Sequence, residues 1–215
     1  RAVLEAGEGF FRAYADSYDE APLLVPFEGA YEISNAYHKL HSACGHAFPA
    51  IDAALLLRKE IRDPAREIAS IEVRTYRAAS ILDKRRPLSL QEARFSIPFL
   101  VALTLTKGRT DRKELLNVDL SDPDLLDLAD KVTLREDPEL QSAFPRLRAG
   151  IMRIRTRDGC EMACRIDSPR GMPDNPVSFR EIEDKFISEA SERLGDQRTR
   201  LILEGVKDLD KLQSI

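Results

Sequence analysis

The segment Phe95-Ser96-Ile97-Pro98-Phe99-Leu100-Val101-Ala102-Leu103-Thr104-Leu105 is apolar at almost every position. A helix with apolar residues on most of its sides must be enclosed by other elements, so this stretch demands a shell of structure around it. Ser89-Leu90-Gln91-Glu92 precedes it and matches a capping box, with Ser at the N-cap and Glu three residues on. The pattern predicts one helix from 89 to about 106. Pro98 inside that helix removes one backbone hydrogen bond and crowds the carbonyl of Arg94, which predicts a kink.

Other elements can be placed around it. Residues 1–20 read as helix, with Val3, Leu4, Phe10, Phe11 and Tyr14 apolar and Gly7 and Gly9 interrupting. Pro22 to Phe27 reads as extended. Pro49 opens a helix to about Lys59, because proline suits a first helical turn. Its inward stripe is Ile51, Ala54, Leu55 and Arg58. Ile68 to Tyr76 alternates as a strand. Ser121 with Asp124 opens a helix through Lys131, and strands follow at about 147–156 and 160–167. Arg157-Asp158-Gly159 joins those two strands as a hairpin signature. Cys160 and Cys164 fall on the apolar face of the second strand and read as core residues. A loop follows from Ser168 to Pro176, a capping box at Ser178 and Glu181 opens a helix to Leu194, and short helices are expected to Leu212. The fold class is α+β, a small mostly antiparallel sheet packed with helices.

Of 215 residues, 43% are hydrophobic and 33% charged, as in an ordinary globular protein. The net charge of −4 comes from 33 basic and 37 acidic residues, and the densest basic run, Asp83-Lys84-Arg85-Arg86, is short. Nucleic acid is therefore not expected as a partner. No apolar run approaches the ~20 residues that span a bilayer, so no membrane is expected either. The three cysteines lack CxxC spacing, which argues against a disulfide framework and for a cytoplasmic setting. The chain opens with Arg1 rather than Met, so a start further upstream is expected.

All three histidines fall inside nine residues, in Tyr37-His38-Lys39-Leu40-His41-Ser42-Ala43-Cys44-Gly45-His46. Three readings are open. His38, His41, Cys44 and His46 could ligate zinc, although spacings of 3, 3 and 2 match no common zinc pattern. Lysine, imidazoles and a thiol at a helix mouth could form an electropositive pocket that holds a polycarboxylate and moves a proton beside it. The third reading is a surface loop whose histidines bond backbone carbonyls.

Lys39-Leu40-His41-Ser42-Ala43-Cys44-Gly45-His46-Ala47-Phe48-Pro49-Ala50-Ile51-Asp52 resembles a segment of the MmgE/PrpD family. Further similarities keep the family's order. They are Ile71 to Tyr76, Pro87 to Phe99, Thr156 to Gly159, Pro169-Arg170-Gly171 with Asn175-Pro176, and Lys185-Phe186. The resemblance implies a large helical domain and a smaller α+β lid, with the active site between them. It implies three portions here: 1–22 as the end of the helical domain, 23–176 as the lid, and 177–215 as helices returning to the helical domain. The implied activity is a cofactor-independent lyase acting on a small di- or tricarboxylate such as 2-methylcitrate, by dehydration. Decarboxylation of the cis-aconitate type, epimerisation, or a non-catalytic binding module are the alternatives. The implied partners are the N-terminal helical domain of the same protein and a second copy in a homodimer.

Carried across position by position, Lys39 matches the family's active-site lysine, and Cys44 a position filled by Cys or His. His41 replaces a more usual aromatic. Phe48 stands where the family usually has His, which leaves His46 as the nearby imidazole. Lys39, His41, Cys44 and His46 are thus the catalytic candidates, with no metal. Arg94, Ser96 and Arg170 are the candidate substrate-binding residues. Arg94 either clamps a carboxylate or pairs with a neighbouring acid, and Arg170 either borders the cleft or anchors its loop. Asp52 in a first helical turn suits the helix dipole, and Lys185 reads as a solvated or interdomain charge. The apolar faces at the two ends, including Phe10, Phe11 and Tyr14, and Phe179, Ile182, Phe186, Leu201 and Leu203, are expected to be covered by a partner.

Overall fold

The computed structural model describes residues 2–5, 9–21, 25, 29 and 31–211. The extended run expected over 22–27 lies outside the described residues except for Val25, as do Gly7 and Leu212. The chain divides into two compact units, 1–35 and 36–215. In the first unit, where one helix was expected over 1–20, the described residues of that stretch form two short ones, α1 (Ala2–Glu5) and α2 (Phe10–Tyr14), the latter with Gly9 at its N-cap. The Phe11 and Tyr18 rings stack at 4.5 Å, while Tyr14 is exposed.

The second unit follows the order α3 (Phe48–Leu57), β1 (Ile68–Thr75), α4 (Leu90–Arg94), α5 (Ile97–Lys107), α6 (Pro123–Asp130), β2 (Val132–Glu136), β3 (Gly150–Thr156), β4 (Glu161–Ile166), α7 (Phe179–Leu194) and α8 (Asp196–Lys207), with shorter turns of helix between. It is α+β, as expected. At its centre lies α5, in which every residue from Ile97 to Leu105 is buried. Pro98 does not kink a longer helix; it sits in the first turn of a new one. Ser96 has extended backbone, and its hydroxyl accepts the Phe99 N–H at 3.0 Å, so the helix restarts there. A proline in the first turn forfeits no hydrogen bond, so a break satisfies the backbone better than a kink. Gly108, at φ 72, ends the helix in the left-handed region. Ser89 caps α4 by accepting the Glu92 N–H at 3.2 Å, but the Glu92 carboxylate takes the Leu88 N–H at 2.7 Å.

Next to α5 packs α3, with Pro49 in its first turn and Phe48, Ala50, Ile51, Ala53, Ala54 and Leu57 buried. Its burial is wider than the expected stripe. The sheet order is β2-β1-β3-β4, with β1 and β2 parallel and the other pairs antiparallel. Strand β2 and the short helix Pro138–Ala143 were not legible in the sequence. The inward face carries Ile71, Val73, Met152 and Ile154, against which α3 packs. Cys164 is half-buried on that face, but Cys160 is exposed in the hairpin turn, one residue before β4 begins. Asp122 rather than Ser121 caps α6, since the Ser121 hydroxyl is turned to Asp119. The Ser178 and Glu181 capping box is complete and starts α7, which packs on α8 across Gly195.

Pro98→Ala tests the break directly. A proline inside a helix costs about 3 kcal/mol, so its removal from a kinked helix would be strongly stabilising. Here, in a first turn, urea unfolding is expected to move by less than about 1 kcal/mol. Ser96→Ala, which removes the cap and a buried donor, is expected to cost about 1–3 kcal/mol.

Candidate active site

Residues 38–44 form no regular element, so their backbone groups must be satisfied from elsewhere. The His38 N–H donates to the Gly171 carbonyl at 2.9 Å. Gly171 has φ 98, and a Cβ there would collide with the His38 carbonyl oxygen, so only glycine allows this approach. The Lys39 carbonyl accepts from Lys185 Nζ. The Ser42 N–H donates to the Thr110 carbonyl at 2.9 Å, and the Cys44 N–H to the Arg94 carbonyl at 2.9 Å. Four separate parts of the chain thus hold one irregular segment.

Beside it opens a cleft of about 670 Å³. Lys39, His41, Cys44 and Arg94 line one side, and Lys185 and Glu189 of α7 the other. Phe95, Ile182 and Phe186 supply its apolar wall. Phe179 and Leu201 are exposed. Three cations share the cleft with one carboxylate, Glu189, which lies 3.9 Å from Arg112. Among the described residues Arg94 pairs with no acid, and its Nε is buried without a hydrogen-bond partner. A buried donor without an acceptor costs free energy, which a bound anion would recover.

His41 is buried, and both of its nitrogens are engaged. Nε2 lies 3.0 Å from Asp52 Oδ1, and Nδ1 lies 2.9 Å from the Thr110 hydroxyl. The other Asp52 oxygen accepts the Arg170 N–H at 2.7 Å. Neither ring nitrogen is free to exchange a proton with a molecule in the cleft, so His41 acts in this geometry as a brace. His46 does not line the cleft. Its Nδ1 lies 2.9 Å from the Tyr76 hydroxyl, and burial, aided by the Arg148 charge, lowers its pKa.

Two expected substrate ligands sit elsewhere. Ser96 is fully buried; its hydroxyl donates to the Lys84 carbonyl while capping α5, so it has no surface to offer. The Arg170 guanidinium is turned to Glu181, 2.7 Å from Nη2 to Oε2, and to the Pro176 carbonyl, so this arginine anchors its own loop. The zinc quartet is dispersed, with His38 exposed and the other imidazoles committed as above. Among the described residues no three His, Cys, Asp or Glu side chains are grouped to hold a metal. The residues that sequence reasoning missed are Asp52, whose carboxylate bonds side chains and loop as well as suiting the dipole, and Thr110, for which no signal existed. Lys185 was read as a solvated or interdomain charge, and its Nζ also donates to the Lys39 carbonyl.

Residues 41–210 match the model of the MmgE/PrpD C-terminal domain. The chain belongs to the MmgE/PrpD family. Among curated relatives, this MmgE/PrpD chain is 25% identical over 219 residues to cis-aconitate decarboxylase of Mus musculus, covering 99% of the chain and 45% of the relative. It is 23% identical over 233 residues to cis-aconitate decarboxylase of Aspergillus terreus, covering 100% of the chain and 47% of the relative. The mitochondrial 2-methylcitrate dehydratase of Yarrowia lipolytica is 31% identical over 122 residues, 54% of the chain and 24% of that protein. The chain spans less than half the length of these relatives. No helix among the described residues is long and apolar enough to cross a membrane.

The loop anchor behind the cleft carries a pH signature. Hydrogen bonds from Ser178, then from Arg170, hold the Glu181 pKa at about 2, down from 4.5. A depressed carboxylate pKa stabilises the fold above the unfolded value, and that contribution is lost as pH falls from about 4.5 toward 2. Denaturant unfolding at about pH 5 and about pH 3 is expected to show a smaller loss of stability in Glu181→Gln than in the wild type. Equal losses in the two proteins would remove Glu181 from the acid response.

Proposed function

We propose that the protein containing this chain is a lyase acting on a small di- or tricarboxylate, with the cleft beside residues 38–44 as its site. The observation that carries this reading is the convergence of Lys39, Arg94 and Lys185 on one cleft whose only acid among the described residues lies beside Arg112. Like charges held together at a partly apolar site repel, and a polyanion relieves that repulsion. Arg94 presents a planar fork suited to a carboxylate, and Lys185 a point charge across the cleft.

The reaction that suits such a site is removal of a proton from the carbon next to a carboxylate. Cationic side chains lower its cost by holding the negative charge that develops there. The electron pair left on carbon forms the double bond as the neighbouring C–O bond breaks, and the departing hydroxide takes a proton to leave as water. Lys39 is the proton-transfer group, in keeping with its match to the family's active-site lysine. His41 orients the segment that carries it. Cys44 is half-buried in the cleft within reach of the same space.

Decarboxylation is a second reading, favoured by one observation: the relatives named cis-aconitate decarboxylase align with 99% to 100% of the chain in mouse and Aspergillus terreus, the dehydratase with 54%. In that reaction the same cations hold the charge left as the carbon–carbon bond breaks and carbon dioxide departs, and Lys39 then delivers a proton to the resulting carbanion. Assays of the full-length protein for both dehydration of 2-methylcitrate and carbon dioxide release from cis-aconitate separate the two.

In either case Lys39→Ala is expected to lose about 10²–10⁴-fold in turnover with its melting temperature unchanged. Near-normal turnover would remove Lys39 from the chemistry. Arg94→Lys, which keeps the charge and loses the fork, is expected to raise KM by about tenfold.

A further inference from the structure

Outside the cleft, a second group of side chains gathers at the turn of Gly45. The Arg148 guanidinium stands over the Tyr37 ring, 5.1 Å from its centroid. Gly45 makes room for both: a Cβ there would lie 2.8 Å from the Tyr37 hydroxyl and 3.2 Å from Arg148 Nη1. Two polar groups therefore converge on one bare stretch of backbone. His46 is next in sequence, its Nδ1 taken by the fully buried Tyr76 hydroxyl at 2.9 Å.

Burial is the chief cause that pushes the Tyr76 pKa up; Arg148 opposes it, and Cys44 and Tyr37 add to it. The charges of Arg148, Cys44 and Tyr37 thus reach Tyr76, which remains a protonated phenol. His46 Nδ1 is the one acceptor that Tyr76 finds among the described residues, so the phenol donates to it. The ring proton then sits on Nε2.

Every group left unused at this turn can donate. Among the described residues Arg148 makes no ion pair and no hydrogen bond, the Tyr37 hydroxyl has no partner, and neither has His46 Nε2. A guanidinium, a phenol and an imidazole N–H brought together without an acceptor match an oxyanion. We propose that Tyr37, His46 and Arg148 form an oxyanion-binding subsite, distinct from the Lys39 cleft, that takes one carboxylate or phosphate group. Cys44, which lines the cleft, directly precedes Gly45 in the chain, so the subsite borders the cleft. The subsite does not depend on the lyase reading.

Three histidines make the test simple, because a 15N-histidine spectrum of the 215-residue chain holds only their rings. Citrate and inorganic phosphate are the probes. Each is expected to shift the His46 signals saturably and to raise the His46 pKa, since a bound anion offsets the Arg148 charge that helps to lower it. Arg148→Gln is expected to weaken that binding about ten- to hundredfold. Arg148→Lys keeps the charge without the fork, and is expected to bind with intermediate strength if the Gln variant does not fold. Lys39→Ala is expected to leave the phosphate response intact. A response to citrate alone marks the carboxylate of a polyacid as the ligand, and a response to both marks a general oxyanion site. The proposal is overturned if neither probe moves His46, or if both Arg148 variants bind as the wild type does. It is equally overturned if Lys39→Ala abolishes the response, because the anion would then reside in the cleft.

Discussion

One carboxylate holds the candidate site together. Asp52 stands in the first half of α3, with its helix packed against α5 and the sheet, and shares its two oxygens between His41 and the Arg170 N–H. Through His41 it reaches Thr110, whose carbonyl in turn holds Ser42. Through Arg170 it reaches Glu181 and the start of α7, which forms the far wall of the cleft. Both walls are therefore referenced to one side chain on a rigid, buried helix. Such a group is hard to replace, because removing one partner leaves the others buried and unpaired.

The chain as a whole is acidic, yet its main cleft is cationic. Net charge says little about a site; what matters is which charges lack a partner nearby. Most of the arginines outside the cleft that pair do so with a local acid, as Arg86 does with Asp130 and Arg165 with Asp167. Arg94 and Arg148 do not. Leaving a half-buried guanidinium unpaired has a cost, so these two positions stand out among the half-buried arginines of the described residues.

Much of the architecture was legible because it rests on local rules. The capping box at Ser178, the Pro49 helix start and the hairpin at Gly159 depend on a few adjacent residues. What failed depended on distant ones. Pro98 looked like a kink because the cap that restarts the helix, Ser96, was itself counted as a binding residue. Strand β2 has only Val132 and Leu134 as inward apolar residues, and it exists because β1 offers a parallel edge. The cysteine alternation misplaced Cys160 by the single residue that separates a turn from a strand. Lys39, Cys44 and Arg94, chosen by residue type and by the family resemblance, line one cleft, whereas Thr110 could not be picked out. A buried threonine that matters because it faces one imidazole nitrogen leaves no trace in composition or spacing.

The histidine concentration, the strongest functional signal in the chain, is divided by the fold among three different tasks. His38 stands exposed, with its backbone against Gly171; His41 braces the segment with both nitrogens; and His46 turns away to Tyr76. An aromatic ring in place of His41 could fill the same space against Phe48, but it could not join Asp52 to Thr110. Lysine has a long flexible stem, and its ammonium can be placed accurately only if the backbone beneath it is fixed. Residues 38–44 lack a helix or strand to do that, so the polar side chains around Lys39 take over the task. In this chain the residues that look most like catalysts by type include some whose contribution is to hold the segment that carries Lys39 still.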